Sequence, residues 1–368
     1  ILILAAPAAA AERVPARFFG VVAEPDLLAD SALATAGTTA EDEVGAMAGA
    51  GAGSIRMSFF WARIQPYASW DEIPEAARGA FIDVGGRPYA FGETDRLVAA
   101  AARHGIQVMP VLLWPPYWAA RHPGAFASPP SDPKLFGAFA AVLAARYGPA
   151  GTFWDEHPDL RRIPIRDWQV WNEPTMTGFW LDQPWVKRYV ALLAATGPAL
   201  RRVDPKARVV LAGLVYDSPG ALRKIYRAGG RRLFDVVAVH PFTLHVAGVG
   251  KLLSAARTVM RANGDARKPL LVTELSWPSA KGRTPPIYGY EMTEGGQAAR
   301  VAQALPYLAA RRRALRIERV YWYTWLTRER DRLYPFDYAG LRRLEAGAVV
   351  AKPAFAAFSR TARRLQGR

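Results

Sequence analysis

Asp167-Trp168-Gln169-Val170-Trp171-Asn172-Glu173-Pro174 is a short run of alternating polar and apolar residues that stops at Asn-Glu-Pro. It reads as a strand ending in a carboxylate. A second segment has the same form: Pro269-Leu270-Leu271-Val272-Thr273-Glu274-Leu275-Ser276-Trp277-Pro278. About 100 residues separate the two glutamates, a spacing that suits three strand–helix units of an α/β barrel.

Working outward, short apolar runs alternate with Ala/Leu-rich helical stretches along the chain. Strands are predicted at 17–22, 54–58, 107–113, 167–170, 208–213, 234–239, 269–273 and 319–324. Clear helices are predicted at 95–104, 133–147, 185–202, 249–263, 297–312 and 354–365. Eight strands alternating with helices predict a single parallel (β/α)8 TIM barrel over 17–368. An open doubly wound sheet is the alternative, but Phe19-Gly20-Val21-Val22-Ala23-Glu24-Pro25 lacks the Gly-rich first turn common in that fold. The long connections at 61–92, 114–132, 175–184 and 275–294 all follow strands and are rich in Trp, Tyr and Pro. Loops in those places build the walls of a site.

Composition narrows the function classes. The chain has 368 residues and no cysteine, which excludes disulfides, thiolate-ligated zinc and a thiol nucleophile. No phosphate-binding Gly-rich loop, His-Glu-x-x-His site or Gly-x-Ser-x-Gly elbow occurs, and the five His do not cluster as ligands. No cofactor or metal is implied. Residues 1–16 are Ala-rich and read as the remnant of a secretory signal peptide cleaved near Ala10 or as a disordered N-terminus; on the first reading a secreted or envelope-associated protein is expected. No apolar run is long enough to span a membrane. The net charge of +16 comes mostly from scattered Arg. Solvated helix faces account for that pattern; an anionic envelope polymer is the alternative partner. Nothing resembles a nucleic-acid motif with interleaved stacking aromatics.

Two carboxylates projecting into one mouth match the needs of glycosidic bond cleavage on an oligo- or polysaccharide. A retaining reaction uses one protonated carboxyl as acid and a second, ionised one about 5–5.5 Å away as nucleophile. Glu173 is assigned as acid/base and Glu274 as nucleophile. Arg56, in Ser54-Ile55-Arg56-Met57-Ser58, is the candidate that keeps Glu274 ionised. Asn172 is the candidate donor to a sugar hydroxyl. Arg56 could instead be a structural ion pair, and His240 a core histidine. Trp114, Trp118, Trp180, Trp277 and Trp325 sit at strand ends or in loops, where an indole can stack on a sugar ring. About half of them are expected to do so, while Trp168 and Trp322 read as packing residues.

At these residues the chain resembles clan A of the retaining glycoside hydrolases, and within it family 39 and related cellulase-like barrels. The similarity runs from Ile55–Trp61 through Val108–Ala119 and Trp168–Trp180 to Val239-His240-Pro241, Val272–Trp277 and Tyr321–Trp325. The resemblance implies a (β/α)8 barrel with a strand-four acid/base preceded by Asn, a strand-seven nucleophile and a strand-two Arg. It also implies O-glycoside hydrolysis, with β-linked units favoured. One departure stands out. Many members carry a Tyr after strand six that touches the nucleophile, whereas Phe242 stands here. His240 or Tyr323 is expected to take that place. Little sequence follows the eighth strand, which resembles barrel-only members that cut bacterial exopolysaccharides internally. The competing readings are a catalytically silent carbohydrate-binding barrel and a basic polymer-binding protein whose glutamates are incidental.

Overall fold

A computed structural model describes residues 13–368, so the expected signal cleavage site lies outside the described residues. The parallel strands are β1 (Phe19–Val22), β2 (Ser54–Phe60), β3 (Gln107–Leu113), β4 (Asp167–Val170), β5 in two pieces (Arg208–Val210 and Leu214–Val215), β6 (Val237–His240), β7 (Leu270–Leu275) and β8 (Ile317–Trp322). Each pairs in parallel with the next, and β8 pairs with β1. The ring closes between β5 and β6 through a parallel bridge, Val210 to Val236, and a hydrogen bond from Leu211 N to Val236 O at 3.0 Å. The fold is the expected (β/α)8 barrel.

Strands β3 and β4 have the predicted bounds, while β2 runs on to Phe60 and β7 through Glu274 to Leu275. The fifth strand was predicted as one run and is broken at 211–213. Two contacts explain the break. The Tyr189 hydroxyl, on helix Val186–Val203, donates to Val170 O and accepts from Ala212 N, so it diverts a backbone donor from the ladder. Gly213 then passes directly against the His240 ring.

Side-chain alternation divides the strands into two faces. Residues such as Ile55, Met57, Phe59 and Trp168 face the helices and are buried there. Each such fully buried side chain contributes about 1.5–3 kcal/mol relative to exposure. The inner face forms its own small cluster, including Val22, Met109, Val210, Ala238, Leu271 and Tyr321. Gly20 belongs to this crowded interior, where a Cβ would fall 2.4 Å from Ser54 Oγ and 2.7 Å from the Tyr321 ring. Below the cluster the barrel floor is an ion network. Arg208 donates to Asp167 and Glu318, and Arg319 donates to Asp167. Some of the excess Arg is therefore structural.

The helices start close to the predicted positions for capping reasons. Asp132 accepts from Lys134 N and Pro133 occupies the first turn of Pro133–Tyr147. Thr293 accepts from Gly296 N, so Glu294–Leu315 starts earlier than the apolar pattern alone indicates. The loop after β2 carries a hairpin, Ile82–Val84 with Arg87–Tyr89. A three-stranded sheet of Leu326–Thr327, Arg342–Glu345 and Ala348–Ala351 follows β8; it was not expected from the sequence. Among the described residues, no helix is long and apolar enough to cross a membrane.

Candidate active site

Asp167 and Gln169 alternate inward on β4 while Trp168 and Val170 face the helices. Past the strand end the backbone turns sharply: Trp171 (φ 72°) and Glu173 (φ 40°) both adopt the left-handed region. Non-glycine residues there cost about 1–3 kcal/mol each, an investment typical of functional sites. The turn aims Glu173 across the mouth toward β6 and β7.

His240, at the end of β6, links the two glutamates. Its Nδ1 is 2.6 Å from Glu173 Oε1 and its Nε2 is 3.6 Å from Glu274 Oε1. All three side chains are nearly sealed from solvent, and His240 is fully so. Burial pushes the Glu173 carboxyl up to about 8, against the pull of Arg56. Burial also lowers His240 to about 3, which keeps the imidazole neutral. A protonated Glu173 donating to Nδ1 leaves the single ring N–H on Nε2, facing Glu274.

Arg56 organises the other side. Its Nε donates to Gln169 Oε1, Nη1 to Glu274 Oε1 and Nη2 to Asn172 Oδ1, each at 2.7 Å. Gln169 is held in turn by Leu211 O at 3.0 Å. Because a guanidinium only donates, Asn172 must present its oxygen to Arg56. Its Nδ2 makes no hydrogen bond within the described protein and is free to donate to a ligand. Burial raises the Glu274 carboxyl, while His240 and Arg56 oppose that rise. Only Glu274 has a direct guanidinium bond, so the proton of the pair belongs on Glu173 and the charge on Glu274.

Glu173, His240 and Glu274 each place one ligand-type atom within 4.8 Å of the others. That spacing alone would suit a divalent cation. The Arg56 guanidinium already sits on Glu274, however, and a dication beside it would meet like charge in a buried site. The trio is better matched to proton transfer.

A pocket of about 400 Å³ opens over these groups, lined by both glutamates, Arg56, Asn172 and a belt of aromatic rings. The expected tryptophans divide unevenly. Trp114 lines the pocket, stacked on Phe60 at 4.9 Å between centroids. Trp118 stands outside it, packed edge-on against Trp61 and donating to Gln65 O. Trp180, Trp277 and Trp325 are fully buried. Trp277 donates to Thr243 O, and Trp325 to Glu43. A sealed indole has no face to offer a sugar, so these three are corrected to packing residues. Phe179, Tyr216, Tyr288, Tyr290, Tyr334 and Phe336 provide the rings instead. Of the two candidates for the place left by Phe242, His240 approaches Glu274, whereas Tyr323 lines the pocket and its hydroxyl has no hydrogen bond among the described residues.

Glu24, Gln169 and Gly213 escaped the sequence reading. Gln169 and Glu24 could have been found from period two, since each lies two residues past an inward-facing position. Gly213 carried no such signal. A Cβ there would fall 1.8 Å from His240 Nε2. Gly213→Ala is therefore expected to push the imidazole off both glutamates. Any turnover at this site is expected to fall about 10²-fold, with a destabilisation of about 1–3 kcal/mol. Initial rates and a thermal melt on the same preparation check both.

No protein-family model matches the sequence, and no curated protein does. Solved structures share the fold. A family 39 glycoside hydrolase from the gut symbiont Bacteroides cellulosilyticus matches with a TM-score of 0.65 and 20% identity, over 96% of this chain and 64% of that one. A family 39 β-xylosidase from Caulobacter crescentus gives 0.61 and 19%, over 95% and 72%. An α-L-arabinofuranosidase from Thermotoga maritima gives 0.61 and 11%, over 93% and 70%. The chain thus has the barrel fold of these hydrolases, and it spans under two thirds of the length of the first.

Proposed function

We propose that the protein is a retaining O-glycoside hydrolase acting on an oligo- or polysaccharide. One observation carries the reading: two buried carboxyl groups with different partners, brought within 4.8 Å of each other and of His240. Inverting enzymes hold their carboxyls about 6.5–9.5 Å apart to admit a water; oxygens of the two glutamates that approach within 4.8 Å support the shorter, retaining spacing.

In the first step a Glu274 oxygen attacks the anomeric carbon as the bond to the leaving oxygen breaks. Glu173 gives its proton to that oxygen, and a glycosyl ester remains on Glu274. Esterification removes the charge that Arg56 had been neutralising. The guanidinium field, which lowers the Glu173 pKa, then favours the carboxylate that the second step requires. Glu173 takes a proton from water, the water oxygen attacks the anomeric carbon, and Glu274 leaves as a carboxylate. His240 stays neutral, and its Nδ1 accepts from the protonated form of Glu173 that begins the first step. Asn172 Nδ2 is available to a ring hydroxyl, where hydrogen bonds strengthen in the transition state.

The solved β-xylosidase among the structural neighbours supports including xylans in a test panel. Reducing ends should be released from one group among β-glucans, xylans, mannans and bacterial exopolysaccharides. The first-formed sugar should keep its anomeric configuration by NMR. Inversion of that configuration would overturn the double-displacement reading.

A further inference from the structure

The pocket holds a third carboxyl that this mechanism does not use. Glu24 follows β1 directly, two residues past the inward-facing Val22, and lines the same cavity as Glu173 and Glu274. Backbone hydrogen bonds hold its main chain. Ala23 N bonds Arg56 O at 2.9 Å, and the Glu24 carbonyl accepts from Leu27 N at 3.0 Å at the start of the Pro25–Leu27 turn. Its side chain has no hydrogen bond or ion pair among the described residues. Arg56, the nearest source of positive field, has all three of its nitrogens committed to Gln169, Glu274 and Asn172.

A half-buried carboxyl at the wall of a pocket, with no protein partner, is left to water or to a ligand for its hydrogen bonds. Burial accordingly raises the Glu24 pKa, with Arg56 opposing. A carboxylate only accepts hydrogen bonds, and the complementary chemistry is a hydroxyl or a pair of hydroxyls. A carboxylate on the ligand would instead meet three protein carboxyls, beside one guanidinium whose every nitrogen already makes a hydrogen bond. No hydrogen bond or ion pair of the described residues uses the Glu24 side chain, and what enters the pocket accounts for its place there.

We propose that Glu24 is a specificity-determining residue: it accepts hydrogen bonds from hydroxyls of the sugar ring in this pocket and excludes rings that carry a carboxylate there. The inference rests on the pocket being a sugar site, as in the hydrolase reading, and it narrows the substrate class to neutral sugars.

Binding can be measured without turnover by working in a Glu274→Gln background. Calorimetric titrations would use neutral gluco-, xylo- and manno-oligosaccharides, and a glucuronate oligomer of the same length. At least one neutral probe should bind, and the glucuronate oligomer should bind ten-fold or more weakly. Adding Glu24→Gln should weaken the neutral probe ten-fold or more and narrow the gap to the glucuronate oligomer, with Tm unchanged because no protein contact is lost. Equal affinity with and without Glu24→Gln would overturn the proposal. So would glucuronate binding as tight as neutral binding, or no binding by any neutral probe. Turnover assays on the Glu274 protein separate the two readings. Sugar binding that depends on Glu24, with no hydrolysis of the bound sugar, would overturn the hydrolase reading while supporting this one.

Discussion

On the proposed mechanism, Glu274→Gln is expected to abolish glycan hydrolysis, lowering kcat on the order of 10⁵-fold, the effect of removing a covalent nucleophile. The amide oxygen can still accept from Arg56 Nη1, which now lies 2.7 Å from Glu274 Oε1. The side chain therefore keeps its shape and its neighbour but cannot form a glycosyl ester. Glu274 is almost fully buried, so the change also removes a desolvated charge and leaves Arg56 with a weaker acceptor. These effects oppose each other, and Tm should shift little. Initial rates on the best substrate of the panel, with a melt on the same protein, make the check. Retention of full activity by a folded variant would remove Glu274 from the mechanism.

Glu173→Gln is expected to cost about 10²–10⁴-fold on natural glycans, the range for a positioned general acid. Aryl glycosides with good leaving groups need little protonation and should form the ester nearly normally, then stall for want of a base. The pH profile carries the sign. Glu173 must be protonated to begin the reaction, and its carboxyl is pushed up to about 8. Wild-type kcat/KM should therefore hold through neutral pH and fall as pH rises through about 8. The variant should lack that alkaline limb. His240 cannot produce it, since burial lowers its pKa to about 3 and it is already neutral across this range. An alkaline limb that survives in Glu173→Gln would assign the acid to another group.

The barrel and the two glutamates could be read directly because each left a local signature. Apolar runs of strand length, helical periodicity between them, and Asn-Glu-Pro or Thr-Glu at a strand end need no knowledge of distant contacts. Strands β3 and β4 and helix Pro133–Tyr147 have the predicted bounds, since Pro, Gly and capping residues set their ends locally. The fifth strand did not, because its break depends on a Tyr189 hydroxyl from the preceding helix and a His240 ring from the next strand. The tryptophans failed for a related reason. An indole in a βα loop can face the mouth or fold back under it, and nothing in the neighbouring residues distinguishes Trp114 in the pocket from the buried Trp277.

The sequence alone determined the strand–helix alternation, the strand ends at which the two glutamates stand, and the residue types available there, because periodicity and strand ends are properties of adjacent residues. Tertiary structure decided which of those residues meet. His240 between the two glutamates, Arg56 fanned over Gln169, Glu274 and Asn172, and Glu24 left without a partner are all outcomes of strand register around a closed ring. Register follows from the packing of the whole inner face, so contacts between residues 113 to 218 positions apart, such as those of Arg56, become definite only when the barrel closes.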